Sequence, residues 1–237
     1  MRAGASLSAT FKAGSIHWTC APTAVLFDLD GTLADTAGDL GGALNQLRMA
    51  RGLDPLPLEV LRPYASAGAR GLIGVGLDIH PGHPEFEPLR QAFLDAYMRC
   101  LADTTALFDG MSDLLYELGT RGLKWGVVTN KPHRFTLPVM EGLGLREDAA
   151  VIISGDSTAH AKPHPLPLLT ACEQLGVAPA SVLYVGDDLR DIQAAQAAGM
   201  PSAAVEWGYI GHNGEISTWG ADVIVAHPMD LLAHLPT

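Results

Sequence analysis

Two hydrophobic periodicities alternate along this chain. Ala24-Val25-Leu26-Phe27 is a short continuous apolar run that stops at Asp28-Leu29-Asp30-Gly31-Thr32, which predicts a buried strand running into a turn. From about Asp35 to Arg51 apolar positions recur at helical spacing, with Leu40, Ala43, Leu44 and Leu47 on one face. Residues 52 to 105 keep the helical pattern and hold no strong strand. The clearest helix there runs from about Glu85 to Asp103, with Phe86, Leu89, Phe93, Tyr97 and Leu101 at spacings of three and four, and Pro84 and Glu85 prime its start. The segment Ser66 to Ile73 places small residues ahead of an apolar turn. Further on, strands are predicted at Lys124 to Val128, Val151 to Ile153, Val182 to Val185, Ala203 to Val205 and Val223 to Val225. Helices are predicted between most of them, at Ser112 to Thr120, Phe135 to Leu143, Leu166 to Leu175 and Leu189 to Ala198.

Near-continuous apolar strands separated by helices predict an α/β fold whose parallel sheet is covered on both faces. The pattern divides the chain into an α/β core, residues 22–38 and 106–237, and a helical insert, residues 39–105. Residues 1–21 are expected to be a disordered leader. They carry Arg2 and Lys12, but Gly14, Ser15, His17 and Trp18 break any apolar stretch, which disfavours a signal peptide. In parallel sheets ligands bind beyond the carboxyl ends of the strands. An insert that leaves just after the first strand can lie over that rim as a lid.

Composition narrows the function. With 237 residues and 48% hydrophobic content, the chain can bury one large core, or a core plus a smaller inserted domain. A net charge of −11 repels a phosphate backbone and argues against nucleic acid as a partner. It also means that an anionic substrate needs a cation at the site to receive it. Cys20, Cys100 and Cys172 are odd in number and far apart, with no metal-type spacing. That suits reduced thiols and a cytoplasmic location. No apolar run reaches the roughly 18 residues of a membrane span, so no membrane partner is expected. Either a monomer or a homodimer is compatible with the sequence.

The chemistry gathers at four strand ends. The first gives Asp28 and Asp30, the second Thr129 and Asn130, the loop after the third Lys162, and the fourth Asp187 and Asp188 with Asp191 following. Three carboxylates near one point form a hard-oxygen site suited to Mg²⁺. Such an ion offsets their repulsion and receives a phosphate oxygen. A carboxylate not consumed by the metal can attack phosphorus. A second, two residues on, can give a proton to the leaving alkoxide and later take one from water, help typically worth ~10²–10⁴-fold. Lysine and threonine can hold phosphoryl oxygens as charge redistributes.

Phe27-Asp28-Leu29-Asp30-Gly31-Thr32-Leu33-Ala34-Asp35-Thr36 resembles the first signature of the haloacid dehalogenase superfamily. Val128-Thr129-Asn130 is similar to its second, Lys162-Pro163 to its third and Gly186-Asp187-Asp188-Leu189-Arg190-Asp191 to its fourth, in the right order. The resemblance implies a Rossmann-like core with a small helical cap inserted after the first strand. It implies that Asp28 is the nucleophile and a metal ligand, and that Asp30 is the acid/base and meets the metal through its backbone carbonyl. Thr129 and Lys162 would bind the phosphoryl group, with Asn130 beside them. Asp187 would complete the Mg²⁺ site, and Asp191 would lie close by or behind it. The insert resembles the cap of the phosphoglycolate phosphatase branch, with Ser66 to Leu72 facing the substrate and Arg70 a candidate grip for a carboxylate or phosphate. The segments Leu107 to Met111, Trp125 to Pro132, Gly208 to Ile210 and Trp219 to Asp222 are similar to bacterial N-acetylmuramic acid 6-phosphate phosphatases.

Blander readings exist for each motif. Asp-x-Asp-Gly-Thr can be a simple turn, Gly186-Asp187-Asp188 a helix N-cap, and Arg70 a solvated helix residue. His160 and His164 stand four apart, but Pro163 and Pro165 disfavour the helix a metal pair would need. Trp207, Tyr209 and Trp219 read as packing rather than as a sugar platform. The expected function is a Mg²⁺-dependent phosphomonoesterase acting on a small carboxylated phosphate ester. A phosphomutase of the same fold is the nearest alternative. A haloacid dehalogenase, which would not need Asp30 or Asp187, and a non-catalytic binding module lie further off.

Overall fold

The computed structural model describes residues 15–211 and 214–235. Its first strand, β1 (Ala24–Phe27), is fully buried. The chain then forms a two-residue strand β2 (Ala34–Asp35) and the helices α1 (Ala37–Ala50), α2 (Leu58–Leu61), α3 (Gly68–Leu77) and α4 (Phe86–Arg99). It returns through β3 (Ala106–Leu107), which pairs antiparallel with β2. There follow α5 (Met111–Thr120), β4 (Lys124–Val128), α6 (His133–Gly142), β5 (Ile152–Ile153), α7 (Leu166–Leu175), β6 (Val182–Gly186), α8 (Leu189–Ala198), β7 (Ser202–Val205) and β8 (Val223–Val225).

Six strands form one sheet in the order β5-β4-β1-β6-β7-β8, every pairing parallel. β1 sits between β4 and β6, and the registers place Phe27 beside both Val127 and Val185. Alternation along β1 feeds two cores. Val25 and Phe27 pack with α5 through Met111, Leu114 and Leu118, while Ala24 and Leu26 pack with α7 and α8 through Leu168, Ala171 and Ala195. This is the doubly covered sheet that the apolar runs predict.

α1, α3 and α4 share a third apolar core of Leu40, Leu44, Ile73, Phe93 and Tyr97, which Phe135 of α6 and Tyr209 join. The β2–β3 ribbon, absent from the sequence reading, stands where the chain enters and leaves these helices. Two residues are too few to show a strand period. It also delays α1 to Ala37, because Ala34 and Asp35 are taken by the ribbon. α4 stops at Arg99 rather than reaching Asp103, and Ala102 follows with a left-handed φ of 65°.

The two crossings are tied by one buried carboxylate. Asp39 of α1 accepts hydrogen bonds from the backbone N–H and hydroxyl groups of both Thr104 and Thr105. Asp39→Ala would strand these donors, at a cost of about 2–4 kcal/mol on the scale of hydrogen bonds to charged groups. A Tm about 5–15 °C lower is the expected reading by differential scanning calorimetry.

Residues 1–14 of the expected leader lie outside the described residues. The rest of it is not detached: Ile16 and Trp18 pack against the core, and the Trp18 indole N–H donates to the carbonyl of His234 at 2.9 Å. Their apolar surface is what docks them. Among the described residues no helix is long and apolar enough to cross a membrane.

Candidate active site

β1 ends where β4 and β6 end on either side of it, so Asp28, Thr129 and Asp187 are delivered to one rim. The turn after β1 is held tightly. Gly31 has φ +85°, and a Cβ there would come within 2.2 Å of Asp187 Oδ2. A Cβ on Gly208 would come equally close to the Asp187 side chain, at 2.2 Å. Glycine at these two positions lets the loops after β1 and β7 close around Asp187. The Trp207 indole N–H donates to the Thr32 carbonyl, and the Tyr209 hydroxyl accepts from the Thr36 backbone N–H. Both aromatics therefore clamp the first loop, and Trp219 is buried in a small cluster with Ile192 and Ala204.

Asp28, Asp187 and Asp191 are all buried, and one carboxylate oxygen of each lies within 4.8 Å of the others. Asp28 Oδ1 accepts from the Leu29 backbone N–H at 2.8 Å and faces the Lys162 ammonium at 3.0 Å. Among the described residues no donor reaches its Oδ2. Asp187 accepts from the Thr32 hydroxyl, the Tyr209 backbone N–H and, from the helical insert, the Ser66 hydroxyl. Asp191 has less freedom. Its Oδ1 meets Lys162 at 2.6 Å, and its Oδ2 accepts from the Asp188 backbone N–H in the capping box of α8.

Burial, reinforced by the charges of Asp28 and Asp191, pushes the Asp187 carboxyl well above the usual range. Burial likewise raises Asp191, and the opposing pull of Lys162 does not restore it. Burial also works against the charge of Lys162, but Asp191 and Asp28 outweigh it and hold the ammonium charged. One ammonium, in contact with two of them, thus stands among three carboxylates, an excess of carboxylate groups in a dry place. A hard divalent cation among these oxygens fits that donor set.

Lys162 is 4% exposed and also donates to the Val128 carbonyl and the Tyr184 hydroxyl. Removing one partner from a buried charge cluster costs about 3–5 kcal/mol. Lys162→Met is expected to lower Tm accordingly. The loss should be smaller at about pH 5 than at about pH 8, because carboxyls left without a counterion bind protons in the folded state. A pH series of melting curves reads this.

Asn130 lines the cavity, but its amide is engaged: Nδ2 donates to the Lys162 carbonyl and Oδ1 accepts from the Lys162 N–H, both at 2.9 Å. It therefore positions the Lys162 loop. Thr129 is buried, and its hydroxyl accepts from the Lys131 backbone N–H at 3.2 Å. The Asp30 carboxylate turns from the other three toward Lys131, at 2.7 Å and 3.0 Å, and the Thr36 hydroxyl at 2.5 Å. Asp188 caps α8 and pairs with Arg190, which outweighs burial and holds its carboxyl below the usual range. Arg190 in turn donates to the Ser66 carbonyl, joining α8 to the insert. His160 and His164 stack at 4.4 Å on the surface, away from these groups.

A cavity of about 200 Å³ opens onto this rim. Its floor carries Asp28, Asp30, Thr129 and Lys162, and its roof is the Ala65–Ala69 segment with side chains of α4. Arg70 is exposed and lies outside the lining. Lys131, Lys162 and Arg190 are the cations that line it among the described residues. The sequence reading gave no role to Lys131, Arg190 or Thr36. One signal was available for Lys131: of the four lysines in the chain, two precede proline, Lys131-Pro132 and Lys162-Pro163, and both follow sheet strands.

A parallel sheet with this strand order, an insert after the first strand and carboxylates at the β1 and β6 ends defines a class, and comparison with known proteins agrees. The family model for haloacid dehalogenase-like hydrolases matches residues 25–205, so the chain belongs to that family. It is 46% identical over 209 residues to the N-acetylmuramic acid 6-phosphate phosphatase of Pseudomonas aeruginosa, covering 88% of this chain and 92% of that one. It is 45% identical over 210 residues to a phosphoglycolate phosphatase of Xanthomonas campestris, covering 89% and 95%. The solved structure of a predicted phosphoglycolate phosphatase from Haemophilus somnus superposes with a TM-score of 0.79 at 27% identity, covering 90% of this chain and 97% of that one.

Proposed function

We propose that the protein hydrolyses a small carboxylated phosphate ester with Mg²⁺, Asp28 being the nucleophile. The observation that carries this is the meeting of Asp28, Asp187 and Asp191 within 4.8 Å, with Lys162 joining Asp28 to Asp191. Asp28 and Asp187 would hold the ion with the Asp30 backbone carbonyl, and Asp191 keeps Lys162 in place. Bound there, Mg²⁺ would neutralise the carboxylates and polarise the phosphoryl group.

Asp28 Oδ2, which has no donor, attacks phosphorus, and the bond from phosphorus to the ester oxygen breaks. Asp30 acts here in its protonated form, giving that proton to the departing alkoxide and ending as the carboxylate that faces Lys131. Water, losing a proton to Asp30, then attacks the aspartyl phosphate, releasing inorganic phosphate and restoring Asp28. Lys162 and Thr129 hold the phosphoryl oxygens through both steps. Residues 39–105 act as a cap. The Ser66 hydroxyl on Asp187 and the Arg190 guanidinium on the Ser66 carbonyl latch it to the core, which excludes water from the reacting groups.

N-acetylmuramic acid 6-phosphate and phosphoglycolate, the esters named for the relatives, both carry a carboxylate. The cavity of about 200 Å³ is below the ~300–1,000 Å³ usual for larger ligands. With the cap latched it suits the smaller ester, and the sugar acid requires the Ala65–Ala69 roof to lift. The test is phosphate release with Mg²⁺ from each ester, compared by kcat/KM. A preference for the sugar acid would assign an opening cap, and a preference for phosphoglycolate a closed one. Failure to release phosphate from either ester, and from every other phosphate ester tried, would remove the proposal.

A further inference from the structure

The upper half of the cavity differs in chemistry from its floor. Phe93, Leu94 and Tyr97 of α4 and Phe135 of α6 line it. The Tyr97 ring packs against Phe93 and Phe135, with centroids 6.4 Å and 5.4 Å away. Tyr97 is 2% exposed, yet its hydroxyl has no partner at ordinary hydrogen-bond distance, a state shared by no other buried side-chain polar atom among the described residues; the Lys131 ammonium acts on the oxygen from further off but is a donor only, so the hydroxyl proton has no acceptor. An unpartnered buried hydroxyl destabilises a fold. A phenylalanine would keep the same ring contacts without that cost, so packing does not account for the oxygen.

Two further facts say what the hydroxyl is suited to. Burial pushes the phenol up to about 12, so at neutral pH it remains an O–H donor. The Lys131 ammonium stands over the same ring, 4.8 Å from its centroid, while its ion pair joins Asp30. A neutral donor and a cation are thus placed together on the side of the cavity where Asp30 stands. The phosphoryl-binding groups Thr129 and Lys162 share the floor with Asp30.

We propose that Tyr97 is a specificity-determining residue whose hydroxyl donates a hydrogen bond to a carboxylate on the leaving group, with Lys131 supplying the adjacent positive charge. This rests on the phosphomonoesterase reading of the site. A carboxylate satisfies the orphan donor and meets the cation, and the aromatic walls cover the carbon skeleton. An ester whose leaving group lacks a carboxylate leaves the hydroxyl as unpaired as it stands in the structure.

The test is Tyr97→Phe, assayed with Mg²⁺ on phosphoglycolate, on N-acetylmuramic acid 6-phosphate and on phenyl phosphate, whose leaving group carries no carboxylate. The ratio of kcat/KM for the better carboxylated ester to that for phenyl phosphate is expected to fall about tenfold or more, the size of a hydrogen bond lost to a charged acceptor. The melting temperature without substrate should be equal or higher, because the variant removes an unpartnered group. An unchanged ratio would overturn the proposal. So would an equal loss on all three esters with a lowered melting temperature, which would make the hydroxyl structural. If the unsubstituted protein releases phosphate from none of them, the hydrolase reading of the site falls, and the role of Tyr97 with it.

Discussion

Asp28→Asn is expected to lower phosphate release by at least about 10⁴-fold, the scale seen when a covalent nucleophile is replaced. The amide keeps the shape and can still accept the Leu29 N–H, but it is a poor nucleophile. The fold should survive, for an electrostatic reason. Asp28 is one of the charges that push up the Asp187 carboxyl, and Lys162 retains Asp191 as a partner at 2.6 Å. Removing one carboxylate from a cluster with excess negative charge relieves repulsion. The metal-free variant should therefore melt no lower than the parent. Steady-state assays beside melting curves check both halves. Turnover near the parent's level would place the nucleophile elsewhere.

Mg²⁺ is expected to raise Tm and EDTA to abolish turnover until the ion is restored. Saturation at about 100 times the dissociation constant adds ~2.7 kcal/mol, which for a chain of this size is roughly 5–10 °C. The effect has a direction in pH. Without metal, Asp187 and Asp191 are raised above their ordinary carboxylate range in the folded protein. Well below that range both are protonated in the folded and unfolded chains alike. As pH rises past it, the unfolded chain gives up these protons while the folded chain keeps them, so stability falls toward the raised folded values. A cation competes with those protons. The Mg²⁺-induced rise in Tm should therefore grow from about pH 5.5 to about pH 8. A shift that shrinks with pH would mean that the ion binds away from these carboxylates.

The sheet was legible because each of its strands is buried. Ala24–Phe27 and Val182–Gly186 are apolar at nearly every position and end in polar residues, so their ends mark the site. Six of the helices were legible from their stripes, and their starts fall within two residues of the expectation, whereas α2 and α3 were given no bounds. What escaped was set by contacts distant in sequence. The β2–β3 ribbon joins residues 34–35 to 106–107 and is too short for a period. Arg70 and Arg190 are both single arginines near a motif, and only folding places Arg190 in the cavity lining. Tyr97 lies on the apolar stripe of α4 and reads as core, which its ring is. Nothing in the spacing reveals that its hydroxyl lacks a partner. Ile16 and Trp18 sit in a stretch without periodicity, and their docking follows from the groove that the C-terminal turn offers them.

The most direct test of the central claim is to trap the phosphorylated carboxylate. During turnover with Mg²⁺, borohydride reduces an acyl phosphate to an alcohol, and peptide mass spectrometry then locates the altered aspartate. Reduction at Asp28, dependent on both substrate and Mg²⁺, is the expected result. Reduction at another aspartate, or at none while phosphate is being released, would contradict the assignment of Asp28 as the phosphoryl carrier.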